Sequence, residues 1–566
     1  MKSGDNHVSS QLLKGAAVLS LAAIITKLLG TLQKIPLQNI GGDGVFGIYN
    51  TVYPFYTILL TLATAGFPTA VSKFVAERHA RGDERGKRAV LWLATFMMIA
   101  LGLVGSALMY FGAPQLAAMI GSSQLVPALR SAAPALLFIP LSAALRGYFQ
   151  GLQNMIPTAV SQVTEQAIRV AVMIVFLLYL SSAGATESVI AGGALSGSAF
   201  GGAAGLLVML LYWAGYRRQR RTSAEQSIDV NQVRSIAVGS GSNEAHPGLS
   251  SGSASVAGER GRALLSSLLR YAIPICLASL AVPLISLVDT FTLPRLLSSH
   301  GDELAIMSAV GVYNRGIPLV QLVTMLASSL SVLFIPMLAE MNIRGDTAGI
   351  QRQLTLALRW FWLIGLASSA GLALLAEPIN VMLYQDAAGS GTMAWIAWTA
   401  APSALVTVTA ALLQGLGYVR APAFHLLLAA ALKTALNAAL VPQLGITGAA
   451  IAGIIAYAVA AALNLALLLR RTGLRPAAQA ALLRPAGAIL ALAAAVLLLR
   501  LAAAPLPQSR LIAALVSLLG VLLGAAVFAV AVLRTRLLTA AEVAALPRLG
   551  PKLLKLLRKL RLIRPE

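Results

Sequence analysis

Gly47-Ile48-Tyr49-Asn50 returns as Gly311-Val312-Tyr313-Asn314, and Gln150-Gly151-Leu152 returns as Gln414-Gly415-Leu416. The separation is the same for both, since 311 − 47 and 414 − 150 each give 264. Arg81-Gly82-Asp83 comes back as Arg344-Gly345-Asp346, one position short of that register, and Arg169 is matched by Lys433 on it. One bundle of helices is written twice. Duplicated bundles with a site between them are the architecture of transporters that rock around a central cavity.

Working outward from the repeat, the chain has 566 residues, 58% hydrophobic and 11% charged, with a mean hydropathy of +0.79. No water-soluble core of this length needs so much apolar sequence. The first apolar segment opens near Leu12 behind a short polar head and runs on without a small-residue cleavage site, so it reads as a retained helix. The net charge of +23 does not point to nucleic acid, because the cations sit in short loops between apolar segments and at the C-terminus, the signature of membrane topology. Cys276 stands alone, which excludes an internal disulfide and reads as a buried thiol.

Apolar stretches of roughly twenty residues number about fourteen. In the first half they lie near 12–39, 46–76, 88–112, 125–150, 156–182 and 188–215. The second half supplies 267–297, 305–340, 353–377, 392–416, 420–441 and 445–470, and two extra spans follow near 480–503 and 510–534. The expected fold is an all-α polytopic membrane protein with about 14 transmembrane helices, two parallel six-helix repeats plus two C-terminal helices. Six spans per repeat is an even number, so both halves enter from the same side. The expected divisions are an N-terminal lobe over 1–216, a flexible cytoplasmic linker over 217–266, a C-terminal lobe over 267–471, the two additional helices over 472–536 and a basic amphipathic tail over 537–566.

With a cytoplasmic N-terminus, the inner loops receive Arg78, Arg81, Arg85, Lys87 and Arg88, then Arg146, Arg217, Arg218, Arg220 and Arg221, then Arg344, Arg352, Arg420, Arg470, Arg471 and Arg475. The opposite loops near 113–124, 183–187, 378–391 and 442–447 hold no Lys or Arg. Both termini come out cytoplasmic in a cell membrane. Arg295, Arg500 and Arg510 are the exceptions. The tail run Lys552-Leu553-Leu554-Lys555-Leu556-Leu557-Arg558-Lys559-Leu560-Arg561 interleaves cations with leucines, as a segment lying on anionic membrane lipids would.

Gly42-Asp43-Gly44-Val45-Phe46-Gly47 matches the dinucleotide pattern G-x-G-x-x-G, but it sits in an outside turn between membrane helices with no preceding strand. It reads as a tight turn or a thinned helix. The five histidines are scattered over different regions and form no ligand cluster, and no P-loop or nucleophile elbow is present. The chain reads as a non-enzyme without a cofactor, with a coupling ion or the membrane potential as its driving force.

The informative residues are ionisable groups at membrane depth, which cost several kcal/mol unless they face water or a counter-ion. Lys27 lies near the middle of the first span and Lys34 about two turns on, where snorkelling is the competing reading. Asp289 lies in the seventh span at a position whose repeat-mate, 289 − 264 = 25, is close to Lys27. A charge pair or shared polar cavity between the two is one expectation, and a structural hydrogen bond to a neighbouring helix is the other. Arg315, after the Tyr313-Asn314 pair, has Thr51 as its repeat-mate. That added cation beside Asn314 suits an anionic ligand, since a guanidinium holds phosphate in bidentate fashion. Glu165 and Arg169 are four apart on the fifth span and form either an intrahelical pair or, with Gln150, a polar network inside the lobe.

Gly66-Phe67-Pro68-Thr69-Ala70-Val71-Ser72-Lys73-Phe74-Val75-Ala76-Glu77, Arg146-Gly147-Tyr148-Phe149-Gln150-Gly151 and Pro157-Thr158-Ala159-Val160-Ser161-Gln162-Val163-Thr164-Glu165-Gln166 resemble the polysaccharide-transporter branch of the MATE/MOP exporter superfamily. Within that branch the chain is similar to the Gram-positive lipid II flippases and the related stage V sporulation proteins. The resemblance runs from about residue 12 to about 535. It implies alternating access that carries a lipid-linked oligosaccharide, most of all the undecaprenyl-pyrophosphate-linked peptidoglycan precursor, to the outer leaflet, with cell-wall synthesis machinery as a partner. It also implies that cavity cations hold the pyrophosphate. By motif, Lys27 takes the place of a family arginine and Arg315 matches a cavity arginine, while Gln33 and Thr57 stand where Gram-negative members carry arginines. Export of another lipid-linked polysaccharide and cation-coupled drug efflux are the alternatives. A membrane glycosyltransferase would want paired carboxylates in a sizeable outside loop, whereas the outside acids are only Asp43, Glu187, Asp302, Glu303, Glu377 and Asp386.

Overall fold

Hydropathy of this kind leaves backbone polar groups no solvent partner, so each span must satisfy its own as a helix. The computed structural model describes residues 2–64, 66–237, 253–298, 301–331, 333–474, 478–507, 509–535 and 537, and every regular element among them is an α-helix. The first half comprises α1 (Lys2–Leu32), α2 (Lys34–Thr64), α3 (Phe67–Ala80), α4 (Glu84–Phe111), α5 (Ala113–Ile120), α6 (Leu125–Ala132), α7 (Ala135–Gly151), α8 (Ile156–Ser182) and α9 (Glu187–Ala237). The second comprises α10 (Ser253–Leu296), α11 (Glu303–Asn314), α12 (Ile317–Ser331), α13 (Phe334–Ile343), α14 (Thr347–Leu374), α15 (Ala376–Tyr384), α16 (Ser390–Ala397), α17 (Ala400–Gly415), α18 (Arg420–Leu444) and α19 (Ile446–Thr472). Two further helices follow, α20 (Ala478–Ala503) and α21 (Arg510–Arg534).

Twelve described stretches are long and apolar enough to cross a membrane. One of them, Ala17–Ala80, is 64 residues long and is broken at Gly42, whose φ of 79° is outside the helical region, so it holds two crossings. With α10 over the expected seventh span, the described residues hold about fourteen crossings of a multi-pass membrane protein. Several expected spans are pairs of helices joined by a short break. The interruption between α6 and α7 recurs in the second half between α16 and α17.

The repeated Arg-Gly-Asp triplets explain themselves as one device used twice. Arg81 and Arg344 end their helices, Gly82 and Gly345 take φ of 68° and 69°, and a residue with a Cβ would be strained there. Asp83 and Asp346 then cap the next helix, each accepting a 2.8 Å bond from the backbone N–H three residues on, Gly86 and Gly349.

The chain divides into two compact units. The first is Met1–Gln33, Val52–Ala118 and Ser123–Pro283, and the second is Lys34–Thr51, Met119–Ser122 and Leu284–Glu566. These units do not follow the expected lobe boundaries: residues 34–51 of the first repeat join the second unit, and α10 is shared, dividing after Pro283. The segment expected as a flexible linker is helical at both ends, since α9 continues to Ala237 and α10 starts at Ser253. The Arg, Gln, Ala and Glu residues of 217–237 favour helix, which the high polar content of that stretch concealed. The basic tail beyond residue 537 lies outside the described residues.

Within the first unit, α3, α4 and α7 enclose Phe67, Val71, Val75, Val90, Ala94, Met98, Ala144, Leu145 and Tyr148, with Leu268, Ala272 and Cys276 of α10 against them. In the second, α14 and α17 pack through Leu354, Ala357, Phe361, Ala404, Val408 and Leu412. Arg500 and Arg510, the two outward exceptions to the charge rule around the last hairpin, are accounted for by α14 and α15. Arg500 pairs with Glu377 at 2.5 Å and donates to the Leu374 carbonyl at 2.9 Å, and Arg510 donates to the Met382 carbonyl at 2.9 Å. These helix-end carbonyls attract cations.

Candidate functional site

The Gly-Ile-Tyr-Asn and Gly-Val-Tyr-Asn quartets cross each other inside the second unit. A Cβ at position 47 would lie 1.8 Å from the Met307 carbonyl oxygen, and one at 311 would lie 1.9 Å from the Asp43 carbonyl oxygen. Each glycine therefore faces the residue four before its own repeat-mate, and only glycine allows so close an approach. Asn50 and Asn314 repeat the symmetry: each donates to the carbonyl one turn back, Phe46 or Val310, at 2.8 Å.

Beside this crossing lies Arg315, 1% exposed. Nε and Nη2 donate to Asp43 at 2.9 and 2.6 Å. Nη1 and Nη2 donate to Asp386 at 2.6 and 3.0 Å, and Nη1 also reaches Asn380 Oδ1 at 3.3 Å. All five donors of the guanidinium fork are thereby directed at oxygens. The Tyr384 hydroxyl donates to the Arg315 carbonyl at 3.1 Å, and the guanidinium lies 5.4 Å from the Tyr384 ring centroid. The Arg315 bond holds the half-exposed Asp386 carboxyl below its usual range, against the opposing effect of burial.

Asp289 is tied to its neighbours on α18 and α11. Lys433 Nζ lies 2.5 Å from Oδ2, the Tyr313 hydroxyl donates to Oδ2 at 2.9 Å, and Asn437 Nδ2 donates to Oδ1 at 3.1 Å. Asn437 also donates to Thr292 Oγ1 at 2.8 Å. Of the two expectations for Asp289, the structure displays bonds to neighbouring helices of its own unit.

The first unit holds a second buried ionic group. Glu165 on α8 accepts from Arg146 at 2.7 Å and from Arg169 at 2.8 Å, and Arg146 also donates to Ser161 Oγ at 2.7 and 3.1 Å. The Ser161 hydroxyl in turn donates to the Gly205 carbonyl at 2.8 Å. Gly205 on α9 is placed so that a Cβ would meet Arg146 and Glu165 at 3.1 Å, so the helices close around the triad. Arg146, read from sequence as an inner-loop cation, lies buried on α7, and its partner Glu165 is the signal that could have placed it. Gln150, four residues further along α7, makes no side-chain hydrogen bond among the described residues.

The two lysines differ from the arginines. Lys27 is exposed on α1, and Lys34 at the start of α2 is 7% exposed. Among the described residues no carboxylate pairs with either ammonium. Spacing had singled out Lys27, Lys34, Asp289, Arg315 and Asn314 one at a time. Asp43, Asn380, Tyr384, Asp386 and Asn437 were not identifiable as their neighbours, because those contacts join segments far apart in sequence.

Two units, built on a duplicated set of membrane helices and carrying buried charge, define the class of multi-pass membrane proteins made by internal duplication. Residues 12–240 match the family described as polysaccharide biosynthesis protein. An uncharacterized membrane protein YabM of Bacillus subtilis is 32% identical over 452 residues, covering 80% of this chain and 79% of the relative. The Lipid II flippase MurJ of the same organism is 26% identical over 468 residues, 80% of this chain and 81% of the relative. A solved structure of Lipid II flippase MurJ in an inward closed conformation aligns with a TM-score of 0.62 at 14% identity, covering 91% of this chain and 98% of that one. The chain belongs to the polysaccharide-transporter branch of the MOP superfamily.

Proposed function

We propose that this protein is a flippase that turns an undecaprenyl-pyrophosphate-linked saccharide, most specifically the peptidoglycan precursor lipid II, from the inner to the outer leaflet by alternating access. The observation that carries the reading is Lys34, a residue only 7% exposed for whose ammonium no described carboxylate serves as counter-ion. Burying a cation without a partner is costly, and a protein retains one where an anion arrives to pair with it. The pyrophosphate of a lipid carrier is such an anion. Buried Arg146, Arg169, Arg315 and Lys433 already face carboxylates, so a headgroup reaches Arg315 only by displacing Asp43 or Asp386. Lys27, exposed and likewise without a carboxylate, is the second candidate ligand. Family membership and the relative named for lipid II support the substrate class.

The test is survival of a bacterium whose own lipid II flippase is switched off while it carries this gene, its Lys34→Ala form or its Arg315→Ala form, with membrane levels checked. Rescue by the wild type and not by Lys34→Ala at equal abundance is the expected result. Failure of the wild type despite good expression redirects the assignment to another lipid-linked polysaccharide or to drug efflux.

A further inference from the structure

We infer that the end of the first unit where α3, α9 and α10 pack together carries a binding surface for the phosphate of an anionic membrane phospholipid. Three cations there are seated on aromatic rings. Lys73 Nζ lies 4.4 Å from the ring centroid of Tyr271 and 5.9 Å from that of Phe74. The Arg78 guanidinium lies 5.7 Å from Phe74, and the Arg217 guanidinium lies 4.6 Å from Trp213. Phe74 and Tyr271 meet edge to face at 6.4 Å. Phe74, Trp213 and Tyr271 all pack against one buried cluster, so the rings that carry the three cations belong to one platform.

Two observations favour an anion-binding surface over a folding device. Among the described residues no carboxylate pairs with Lys73, Arg78 or Arg217, whereas the exposed Arg344 of the second unit holds Glu340 at 2.5 Å. Arg78 donates through Nη1 to the Phe74 carbonyl at 3.0 Å, which fixes its fork beside the ring. The repeat then builds the same helix without these cations. Gly151 faces the Ser72 carbonyl and Val75, as Gly415 faces the Ile335 carbonyl and Leu338, so α3 and α13 are in register at 335 − 72 = 338 − 75 = 263. On that register Lys73, Phe74 and Arg78 correspond to Pro336, Met337 and Met341. Since α13 packs on α17 as α3 packs on α7, that packing requires none of the charges.

The place and the chemistry name the partner. The apolar stretches that contain α3 and the first part of α9 end at Ala80 and Gln219, so all three cations lie within about two turns of a span end. Aromatic rings at span ends sit at the level of the lipid headgroups. A lysine supplies a point charge and an arginine a planar fork, a combination suited to a phosphate diester, and anionic lipids are drawn to basic side chains at the membrane surface. The inference concerns this surface alone and does not rest on the proposed substrate.

The test compares melting temperatures of the full-length protein in detergent micelles containing phosphatidylglycerol or, at the same mole fraction, phosphatidylcholine. The wild type is expected to melt several degrees higher with phosphatidylglycerol, because a ligand that binds only the folded state stabilises it. Lys73→Met combined with Arg78→Met gives α3 the apolar character of α13, and this double variant is expected to accumulate and to lose at least half of the rise. The rise is read as a difference between two lipids, so a change in basal stability does not enter it. Should the double variant fail to accumulate, Lys73→Gln combined with Arg78→Gln carries the comparison. Arg344→Gln removes an exposed cation elsewhere and is expected to keep the whole rise. The inference is overturned if the wild type does not distinguish the two lipids, if the double variant keeps the rise, or if Arg344→Gln loses as much. An equal rise from soluble glycerol 3-phosphate in place of phosphatidylglycerol would also overturn it, since the surface would then take a free phosphate and not a lipid.

Discussion

Glu165→Ala is the perturbation whose outcome the geometry ranks most firmly. Glu165 accepts two charge-assisted bonds at 2.7 and 2.8 Å, and the side chains of all three members are about nine-tenths buried. Removing the carboxylate leaves two guanidiniums without a counter-ion, and loss of one partner from a buried ionic group costs about 3–5 kcal/mol. Arg169→Ala removes the Arg169–Glu165 bond but leaves the neutral Glu165–Arg146 pair, and deletion of a charged hydrogen bond costs about 1.5–3 kcal/mol. The expected order of stability is wild type, then Arg169→Ala, then Glu165→Ala, with roughly 2 kcal/mol between the last two. The chain supplies its own reporter, because Cys276 is its single cysteine and is buried. A maleimide dye that fluoresces on reaction with that thiol therefore follows unfolding during a temperature ramp in mild detergent. Replacing the whole triad by Arg146→Met, Glu165→Leu and Arg169→Met should recover most of the loss, since apolar side chains of similar volume replace buried ion groups at little cost. Equal melting of Glu165→Ala and Arg169→Ala would refute the charge reasoning and reduce the triad to packing.

Gly311→Ala should cost about 1–3 kcal/mol, read in the same dye assay, because its methyl would fall 1.9 Å from a backbone oxygen that has no freedom to retreat; a melting temperature equal to that of the wild type would mean the crossing is looser than described. Arg315→Ala leaves Asp43 and Asp386 facing each other without their shared cation and is expected to abolish rescue in the depletion strain while the protein still inserts, and normal growth would remove Arg315 from the mechanism. Asp386 contributes stability that is complete above its unfolded-state value and is lost as pH falls through its lowered folded value, so the wild type should lose more melting temperature than Asp386→Asn on going to about pH 3; equal losses would uncouple Asp386 from Arg315. Lys34→Met should abolish rescue yet raise stability by about 1 kcal/mol or more, because it removes a buried cation with no described counter-ion, and a destabilised variant would show that Lys34 has a structural partner.

Much of the fold was legible because membrane helices announce themselves by length and apolarity, and because a duplication is visible as a constant offset. The Arg-Gly-Asp turns were legible as repeats before their role was known, since a glycine at positive φ followed by a capping aspartate is a local device. The linker was misread where it turns out to be helical, because polarity and helix propensity are separate properties and Arg217 to Ala237 has both. Charge partnership was the least legible. Arg315 sits 272 residues from Asp43 and 71 from Asp386, and nothing local to any of the three marks the others. Glu165 and Arg169 could be paired from spacing alone, whereas Arg146 joins them only when α7 folds against α8.

The two repeats differ in a way that separates scaffold from function. Their backbone devices are the same: the paired Arg-Gly-Asp turns, the glycine crossing at 47 and 311, and the asparagines that bond one turn back. Such devices answer steric requirements that both copies share, so divergence at them has only a cost. The charges have diverged instead. Thr51, which bonds the Gly47 carbonyl at 2.8 Å, corresponds to Arg315 with its two carboxylates. Arg169, beside a glutamate four residues back on its own helix, corresponds to Lys433, whose aspartate comes from another helix. Two identical bundles would present whatever lies beside them with the same chemical environment twice. Replacing a hydroxyl by a guanidinium at one register position, and a permanent charge by a compact ammonium at another, makes the bundles unequal without altering the helices that carry them.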